Sequence, residues 1–167
     1  VFYLYNAKCE DFSSYLSLFL KNTRESLIVF YTGRTSMTDI HFKKGFIPKS
    51  TVRDIIAQNC TGSQRITFIT DCIEGGSVFD INSIPNDITQ NANMISLYVD
   101  KLYSPQSKEA RRSHGIFTYY FSKFTNDTPD ISPKRMNERM KPSLKRFDQV
   151  FHFDSTKAKL ADTPLYS

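Results

Sequence analysis

Long hydrophobic runs, paired cysteines and glycine-rich phosphate-binding motifs are all missing from this sequence. No apolar run approaches the roughly 20 residues that a membrane-spanning helix needs. The three cysteines, Cys9, Cys60 and Cys72, are an odd number without metal-ligand spacing, which argues against a disulfide framework and a zinc site. We therefore expect no association with membranes and a reducing, intracellular compartment, the cytoplasm or alternatively the nucleus.

Motifs for binding nucleotides or nucleic acids are also lacking. Neither Gly33 nor Gly75-Gly76 belongs to a motif in which glycines cradle a phosphate. The net charge is +5, and basic residues cluster between 134 and 146 and at Arg111-Arg112. Such clusters are most often solvated helix faces, whereas a nucleic-acid interface needs a denser basic patch interleaved with aromatic residues. The composition therefore argues against a nucleic-acid partner.

What the sequence does contain is enough apolar material for one globular domain. Its 167 residues are 40% hydrophobic and include 14 phenylalanines and 9 tyrosines. A chain of this length buries roughly two-thirds of its unfolded surface. We predict a single domain over residues 1–167. Because the chain begins at Val1, directly in an apolar run, we also expect it to be a piece of a longer protein.

Hydrophobic periodicity predicts alternating strands and helices, and hence an α/β fold with a mostly parallel central sheet between helical layers. A strand, a helix and a second strand open the chain, which implies a right-handed parallel crossover. Ser50 and Ser132-Pro133 are helix-start signals, and Pro142 is expected to kink or divide its helix. The predicted strands cover 1–5, 27–31, 65–70, 94–99 and 149–153, with a short extended segment at 46–47; the predicted helices cover 11–21, the residues after Ser50, 107–124 and the residues after Ser132; 33–49 and 80–93 are predicted to be connections.

Two of the predicted strands end in polar turns. One leads into Tyr31-Thr32-Gly33-Arg34-Thr35 and the other into Asp71-Cys72-Ile73-Glu74-Gly75-Gly76. Ligands bind at the carboxyl ends of strands in open parallel sheets. We therefore expect both turns to face one cleft.

These turns resemble two motifs of the metacaspases, a branch of the caspase-fold cysteine peptidases. Tyr31–Thr35 corresponds to Tyr-Ser-Gly-His-Gly, whose histidine is the base, and 71–76 corresponds to Asp-Cys-Cys-His-Ser-Gly, whose second cysteine is the nucleophile. The resemblance extends to Gly115-Ile-Phe-Thr-Tyr119, similar to Gly-Ala-Phe-Thr-Tyr, and to Asp162–Leu165, similar to Gln-Thr-Pro-Gln. It implies a three-layer caspase-like fold whose first strand and helix would precede Val1, either removed or supplied by another segment.

The same resemblance implies that both catalytic groups are replaced. Arg34 takes the place of the histidine and Ile73 the place of the cysteine; isoleucine has no nucleophilic atom, and a guanidinium does not give up its proton in a protein. Asp71 matches the aspartate at the base of the pocket for a basic substrate side chain, although it could instead cap the turn after its strand. We expect Arg34 to pair with Asp71 or Glu74 and to close that pocket.

The remaining thiol and imidazoles leave an alternative open. Cys72 adjoins the nucleophile position, but strand alternation points neighbouring side chains to opposite faces, which favours a buried hydrophobic role. None of the three histidines, His41, His114 and His152, occupies the base position of the family. A displaced pair, such as Cys72 with His41, is the remaining way to build an active peptidase.

Metacaspases often need calcium, and the resemblance places Asp80 at one of the calcium-binding positions. The loop that should supply further ligands reads Thr38-Asp39-Ile40-His41-Phe42-Lys43-Lys44-Gly45, with one carboxylate and two lysines. Calcium prefers several oxygen ligands. We therefore predict no metal and no cofactor.

The function predicted from these observations is that of a catalytically inactive metacaspase-like domain, a scaffold, regulator or peptide-binding module. Its expected partner is a protein, such as an active metacaspase relative or the missing N-terminal segment. Asp71, Cys72 and Glu74 would be remnants of the substrate pocket. The alternative is an active cysteine endopeptidase that cleaves after Arg or Lys with a displaced Cys–His pair.

Overall fold

The computed structural model describes residues 2–60, 62, 64–73, 78–89, 92–100 and 115–166, with Ile73 described by its backbone alone. In these ranges a six-stranded sheet carries helices on both faces. The elements are, in chain order, α1 (Cys9–Asn22), β1 (Ser26–Thr35), β2 (Asp39–His41), β3 (Phe46–Pro48), α2 (Lys49–Asn59), β4 (Arg65–Ile73), α3 (Asn86–Thr89), β5 (Asn93–Val99), α4 (Ile116–Asp127), α5 (Pro133–Lys145) and β6 (Phe151–Ser155).

The sheet is built around three long parallel strands. Its strand order is β3-β2-β1-β4-β5-β6, and β4 pairs in parallel with both β1 and β5. The hairpin of β2 and β3 continues the sheet beyond β1, while β6 is antiparallel to β5. The predicted α/β class, with a mostly parallel central sheet between helical layers, is confirmed.

A separate apolar core lies on each face of the sheet, because successive strand residues point to opposite faces. On the first face, α1 and α2 cover Phe68, whose ring stacks on that of Phe79 with centroids 4.5 Å apart. On the second face, α4 and α5 cover Ile69 and Leu97. We use the names first face and second face for these two sides below. Among the described helices, none combines the length and apolar character needed to cross a bilayer.

The prediction of a strand at residues 1–5 is wrong for the four residues described there. Residues 2–5 form no strand, and Phe2 instead packs against the outer side of α1, with its ring centroid 4.5 Å from that of Tyr15. Tyr3 and Tyr5 are 84% and 91% exposed. Five apolar residues suffice for a strand pattern, but here only the Phe2 ring packs on the helix, and the two tyrosine rings face solvent. The predicted crossover into β1 is therefore absent from the described residues.

Other predicted element boundaries can be compared with the observed ones residue by residue. The predicted connection at 33–49 contains the β2–β3 hairpin, which buries Ile40 and Ile47. Helix α2 begins at Lys49 after Pro48, one residue before the predicted cap Ser50. The predicted start of α5 is confirmed, since the Ser132 hydroxyl accepts a hydrogen bond from the Arg135 N–H.

Three further predicted segments differ in part from the observed elements. Pro142 does not divide α5, which runs from Pro133 to Lys145 with Pro142 exposed. The predicted loop at 80–93 contains a short 3₁₀ helix, Ile81–Ser83, and α3. Of the predicted helix at 107–124, the first eight residues lie outside the described ranges, and the remainder forms most of α4.

Candidate functional site

The carboxyl ends of β1 and β4 lie side by side at one end of the sheet. The register pairs Thr32 with Asp71, Gly33 with Cys72 and Arg34 with Ile73. Adjacent strands lie about 4.8 Å apart. Arg34 and Ile73, the two positions that the predicted metacaspase resemblance matches to the histidine and the cysteine, are therefore direct neighbours across the sheet.

Asp71 is buried at this end of the sheet and binds the start of α4. Its side chain is 1% exposed. Its Oδ2 accepts a hydrogen bond from the Thr118 N–H at 3.2 Å and another from the Thr118 hydroxyl. The first N–H groups of a helix lack partners within the helix, and Gly115, which precedes α4, has no side chain to cap them. Asp71 supplies the missing cap from the neighbouring strand.

The fit between Asp71 and the backbone before α4 requires a glycine at position 115. A Cβ added to Gly115 would lie 2.1 Å from Asp71 Oδ2 and 2.8 Å from Oδ1. Burial raises the pKa of Asp71, and the two hydrogen bonds from Thr118 oppose that rise. Asp71 Oδ1 is buried and has no hydrogen-bond partner among the described residues. Oδ2 of Asp71 is therefore engaged by α4, and the carboxylate lies directly against the backbone at Gly115.

The predicted pairing of Arg34 with Asp71 is wrong. Asp71 lies opposite Thr32, two residues before Arg34, and its bonded oxygen is taken by Thr118. Arg34 is exposed, and no ion pair joins it to any of the described carboxylates. The other predicted partner, Glu74, lies outside the described residues.

Cys72 is buried on the first face, in surroundings that keep its thiol unreactive. It is 2% exposed. Burial, followed by the nearby charge of Asp71, raises the pKa of the Cys72 thiol to about 12, against the opposing influence of Lys49 and hydrogen bonds with Thr35 and the Gly33 backbone. A thiol with such a pKa is protonated at neutral pH, and the thiolate is the nucleophilic form. The small-hydrophobe interpretation fits this environment.

The described histidines do not approach Cys72. His41 lies opposite Arg34 in the register, whereas Cys72 lies opposite Gly33, so alternation directs the two side chains to opposite faces of the sheet. His152 is on β6, two strand spacings from β4 or roughly 10 Å, where it stacks on Tyr98 at 5.3 Å. His114 lies outside the described residues.

Tyr31 links the end of β1 to the end of β2, a role that the sequence did not reveal. Its hydroxyl donates to the carbonyl of His41 at 3.0 Å and lies 3.2 Å from the carbonyl of Arg34. A Cβ on Gly33 would lie 2.6 Å from this hydroxyl. Gly33 is therefore needed because the Tyr31 ring lies directly over it.

A polar cavity of about 440 Å³ opens beside these strand ends on the first face. Its lining includes Lys49 and Arg53 from α2 and the carboxylates of Asp80 and Asp154. Tyr98 also lines it; burial, and then its interaction with Asp154, raises the pKa of Tyr98 to about 12. The Tyr98 hydroxyl therefore keeps its proton at neutral pH. Charges of both signs could bind a small polar group, but no thiol or imidazole is among the described lining residues.

The two carboxylates weighed as calcium ligands both have local partners. Asp39 Oδ2 accepts a hydrogen bond from the Thr38 hydroxyl at 2.7 Å, and its backbone N–H bonds to the Ser36 hydroxyl. Asp80 accepts a hydrogen bond from the Ser83 hydroxyl. Within the described ranges, no group of three or more His, Cys, Asp or Glu side chains converges as metal ligands would.

Sequence reasoning missed the two residues that contact Asp71, although it had singled out their segment. Gly115 and Thr118 both belong to the Gly-Ile-Phe-Thr-Tyr stretch, 44 and 47 positions after Asp71. The available signal was weak. A glycine directly before a helix leaves its first N–H groups without a local acceptor, which indicates a cap from elsewhere in the chain.

Comparison with known proteins defines the class of fold. No protein-family model matches the sequence, and no curated protein matches it significantly. A solved structure, that of protein GSU0716 from Geobacter sulfurreducens, is similar over 96% of this chain and 79% of that one, with a TM-score of 0.62 and 10% sequence identity. At this identity the similarity shows a shared α/β fold alone. The metacaspase resemblance stays a prediction.

Proposed function

We propose that this chain is a catalytically inactive metacaspase-like domain that acts by binding protein, as a scaffold, as a regulator of an active relative or as a peptide-binding module. The observation that carries the proposal is the register that sets Arg34 opposite Ile73. A base and a nucleophile at these positions would be adjacent. The side chains present there offer neither a proton acceptor nor a nucleophilic atom.

The surroundings of the two positions support the same function. Asp71 is engaged by α4, and a thiol buried as deeply as that of Cys72 stays protonated. The competing function, peptide cleavage by a displaced pair, would need an imidazole near Cys72. His41 is on the opposite face of the sheet and His152 is two strands away.

A cleavage assay tests the proposal. The purified chain is incubated with peptides that carry Arg or Lys at the cleavage position, with and without calcium, and in parallel with a thiol-directed covalent probe. We expect no turnover under either condition. We also expect labelling to be reduced by Cys60→Ala and by Cys9→Ala, each of which removes one partly exposed thiol, and unchanged by Cys72→Ala. Turnover that Cys72→Ala abolishes would contradict the proposal.

A further inference from the structure

Strand β1 has an unpaired backbone edge over most of its length. Its ten residues pair with β4 from Ser26 to Arg34, but with β2 only at Arg34 and Thr35. On the side away from β4, the stretch from Ser26 to Gly33 has no strand partner among the described residues. Unpaired strand edges are templates for the addition of another strand.

The residues that point their backbone groups to this edge follow from two hydrogen bonds. The Arg65 N–H donates to the Glu25 carbonyl at 2.9 Å, so Glu25 faces β4. At the other end, the Ser36 N–H donates to the Asp39 carbonyl, also at 2.9 Å, so Ser36 faces the hairpin side. Backbone groups alternate sides along a strand. The three even-numbered residues in the middle, Ile28, Phe30 and Thr32, therefore direct their N–H and C=O groups to the open edge.

Side chains beside this edge are apolar and uncovered. Ile28 and Phe30 are 41% and 44% exposed, whereas Ile69, which is opposite Phe30 on β4, is 2% exposed beneath the helices of the second face. No charged residue and no proline lies between Ser26 and Gly33. Natural edges are usually protected by lysine, proline or a covering element, and none of the described elements covers these two side chains.

A cationic side chain, that of Arg34, lies at the end of the same edge. Arg34 is exposed directly after the unpaired stretch, and His41 is exposed opposite it. None of the described acidic residues forms an ion pair with Arg34. A carboxylate on an added strand would therefore find a complementary charge here.

We propose that the β1 edge binds an extended segment of a partner protein, which adds a strand along Ser26–Gly33. The unpaired donors and acceptors specify an extended backbone, Ile28 and Phe30 specify alternating apolar side chains, and Arg34 specifies an acidic residue at that end. The surface is separate from the polar cavity, and the inference does not depend on whether the chain cleaves peptides.

A phage-display selection tests this inference. A library of random linear dodecapeptides is selected for binding to the full 167-residue chain. We expect the selected peptides to share alternating apolar residues and an acidic residue. Thr32→Pro removes one edge N–H and should weaken their binding about tenfold, as expected for one lost backbone hydrogen bond. The control Thr32→Ala keeps that N–H and should bind nearly as the unsubstituted chain does.

A second pair of variants tests the side chains. Ile28→Lys places a charge beside the edge and should weaken binding by a comparable factor. The control Val150→Lys makes the same change at an apolar residue that is 53% exposed on the far side of the sheet. Fluorescence anisotropy with synthetic peptides measures the affinities, and circular dichroism verifies that each variant is folded.

Hydrogen exchange on the unsubstituted chain keeps the inference testable if a variant fails to fold. Binding should slow exchange at the amides of Ile28, Phe30 and Thr32. A library that yields no edge-dependent binder, or binders that leave these amides unprotected, would overturn the inference. Concentration-dependent dimerisation that protects the same amides would overturn it as well, because the occupant would then be a second copy of the chain. Protection of these amides by residues upstream of Val1, in a longer form of the protein that has them, would overturn it too, because the occupant would then be a segment of the same chain.

Discussion

At the scale of single residues, Asp71 links the end of a central strand to the start of a helix. One oxygen of its buried carboxylate receives two hydrogen bonds from Thr118, and the carboxylate contacts the backbone at Gly115. A buried carboxylate is costly unless hydrogen bonds stabilise its charged form. The position of α4 on the sheet therefore depends on a contact between residues far apart in sequence.

Gly115→Ala tests this contact. The added Cβ would clash with the Asp71 carboxylate, so we expect a destabilisation of roughly 1–3 kcal/mol, typical of overpacking. Urea unfolding measures the change. In an Asp71→Ala background the clash is removed, and Gly115→Ala should then lower the free energy of unfolding by clearly less. Equal losses in the two backgrounds would show that the carboxylate does not limit the space at position 115.

Asp71→Asn tests the raised pKa of the same residue. Burial raises this pKa in the folded chain, so between the unfolded value, about 3.9, and the folded value the native state holds more protons than the unfolded state. Stability contributed by this group therefore falls as pH rises through that window. The asparagine keeps an acceptor for Thr118 but does not ionise.

We expect the stability of Asp71→Asn relative to the unsubstituted chain to increase as the pH rises above the ordinary aspartate pKa, about 3.9, and to level off above the raised pKa of Asp71 in the folded chain. Denaturant unfolding at several pH values measures the difference between the two proteins, in which contributions from the other acidic groups cancel. A difference that does not change with pH would mean that the pKa of Asp71 is unshifted.

At the scale of elements, long periodic segments were predictable from the sequence and short ones were not. Strands β1, β4 and β5 and helices α1 and α5 follow apolar patterns that repeat over several turns or pleats. The stretch at residues 1–5 is too short for such a repeat, and of its described residues Phe2 packs on α1 instead. Strand β2 was missed because it has only three residues, whereas the short extended segment predicted at 46–47 lies within β3.

The candidate site was predictable in its position but not in its contacts. Parallel strands bring their carboxyl ends together, so the meeting of residues 32–34 with 71–73 followed from the pattern. These residues were predicted to form turns, but they continue β1 and β4. Which side chains touch depends on register and on helices that come later in the chain. Nothing near Asp71 in sequence indicated that Thr118, rather than Arg34, would be its partner.

Placing a histidine at position 34 and a cysteine at position 73 tests the assignment of these positions that the predicted metacaspase resemblance makes. Because positions 34 and 73 are direct neighbours, Arg34→His combined with Ile73→Cys should regain some cleavage of peptides with Arg or Lys at the cleavage position. Either substitution alone should not, since a nucleophile and its base act as a unit. A folded double variant without cleavage activity would contradict the assignment of positions 34 and 73 to the base and the nucleophile.

At the scale of the whole molecule, one sheet separates two cores and is shared by both. Strand β4 contributes Phe68 to the core beneath α1 and α2 and Ile69 to the core beneath α4 and α5. Strand β5 does the same with Met94 and Ile95. Loss of packing on either face therefore loosens strands on which the other face depends, and we expect the two cores to unfold together.

Phe79→Ala tests this cooperativity. The Phe79 ring is 1% exposed and stacks on that of Phe68, so its removal should cost roughly 3–5 kcal/mol, a large part of the 5–15 kcal/mol typical of a domain. Tyr5→Ala, at a side chain that is 91% exposed, is the control and should change stability by less than about 0.5 kcal/mol. Hydrogen exchange should then speed up in α4 and α5 as well as in α1 and α2, although Phe79 belongs to the core of the first face alone. If the amides of α4 and α5 kept their protection while those of α1 and α2 lost theirs, the two faces would be independent folding units, and the shared strands would not couple them.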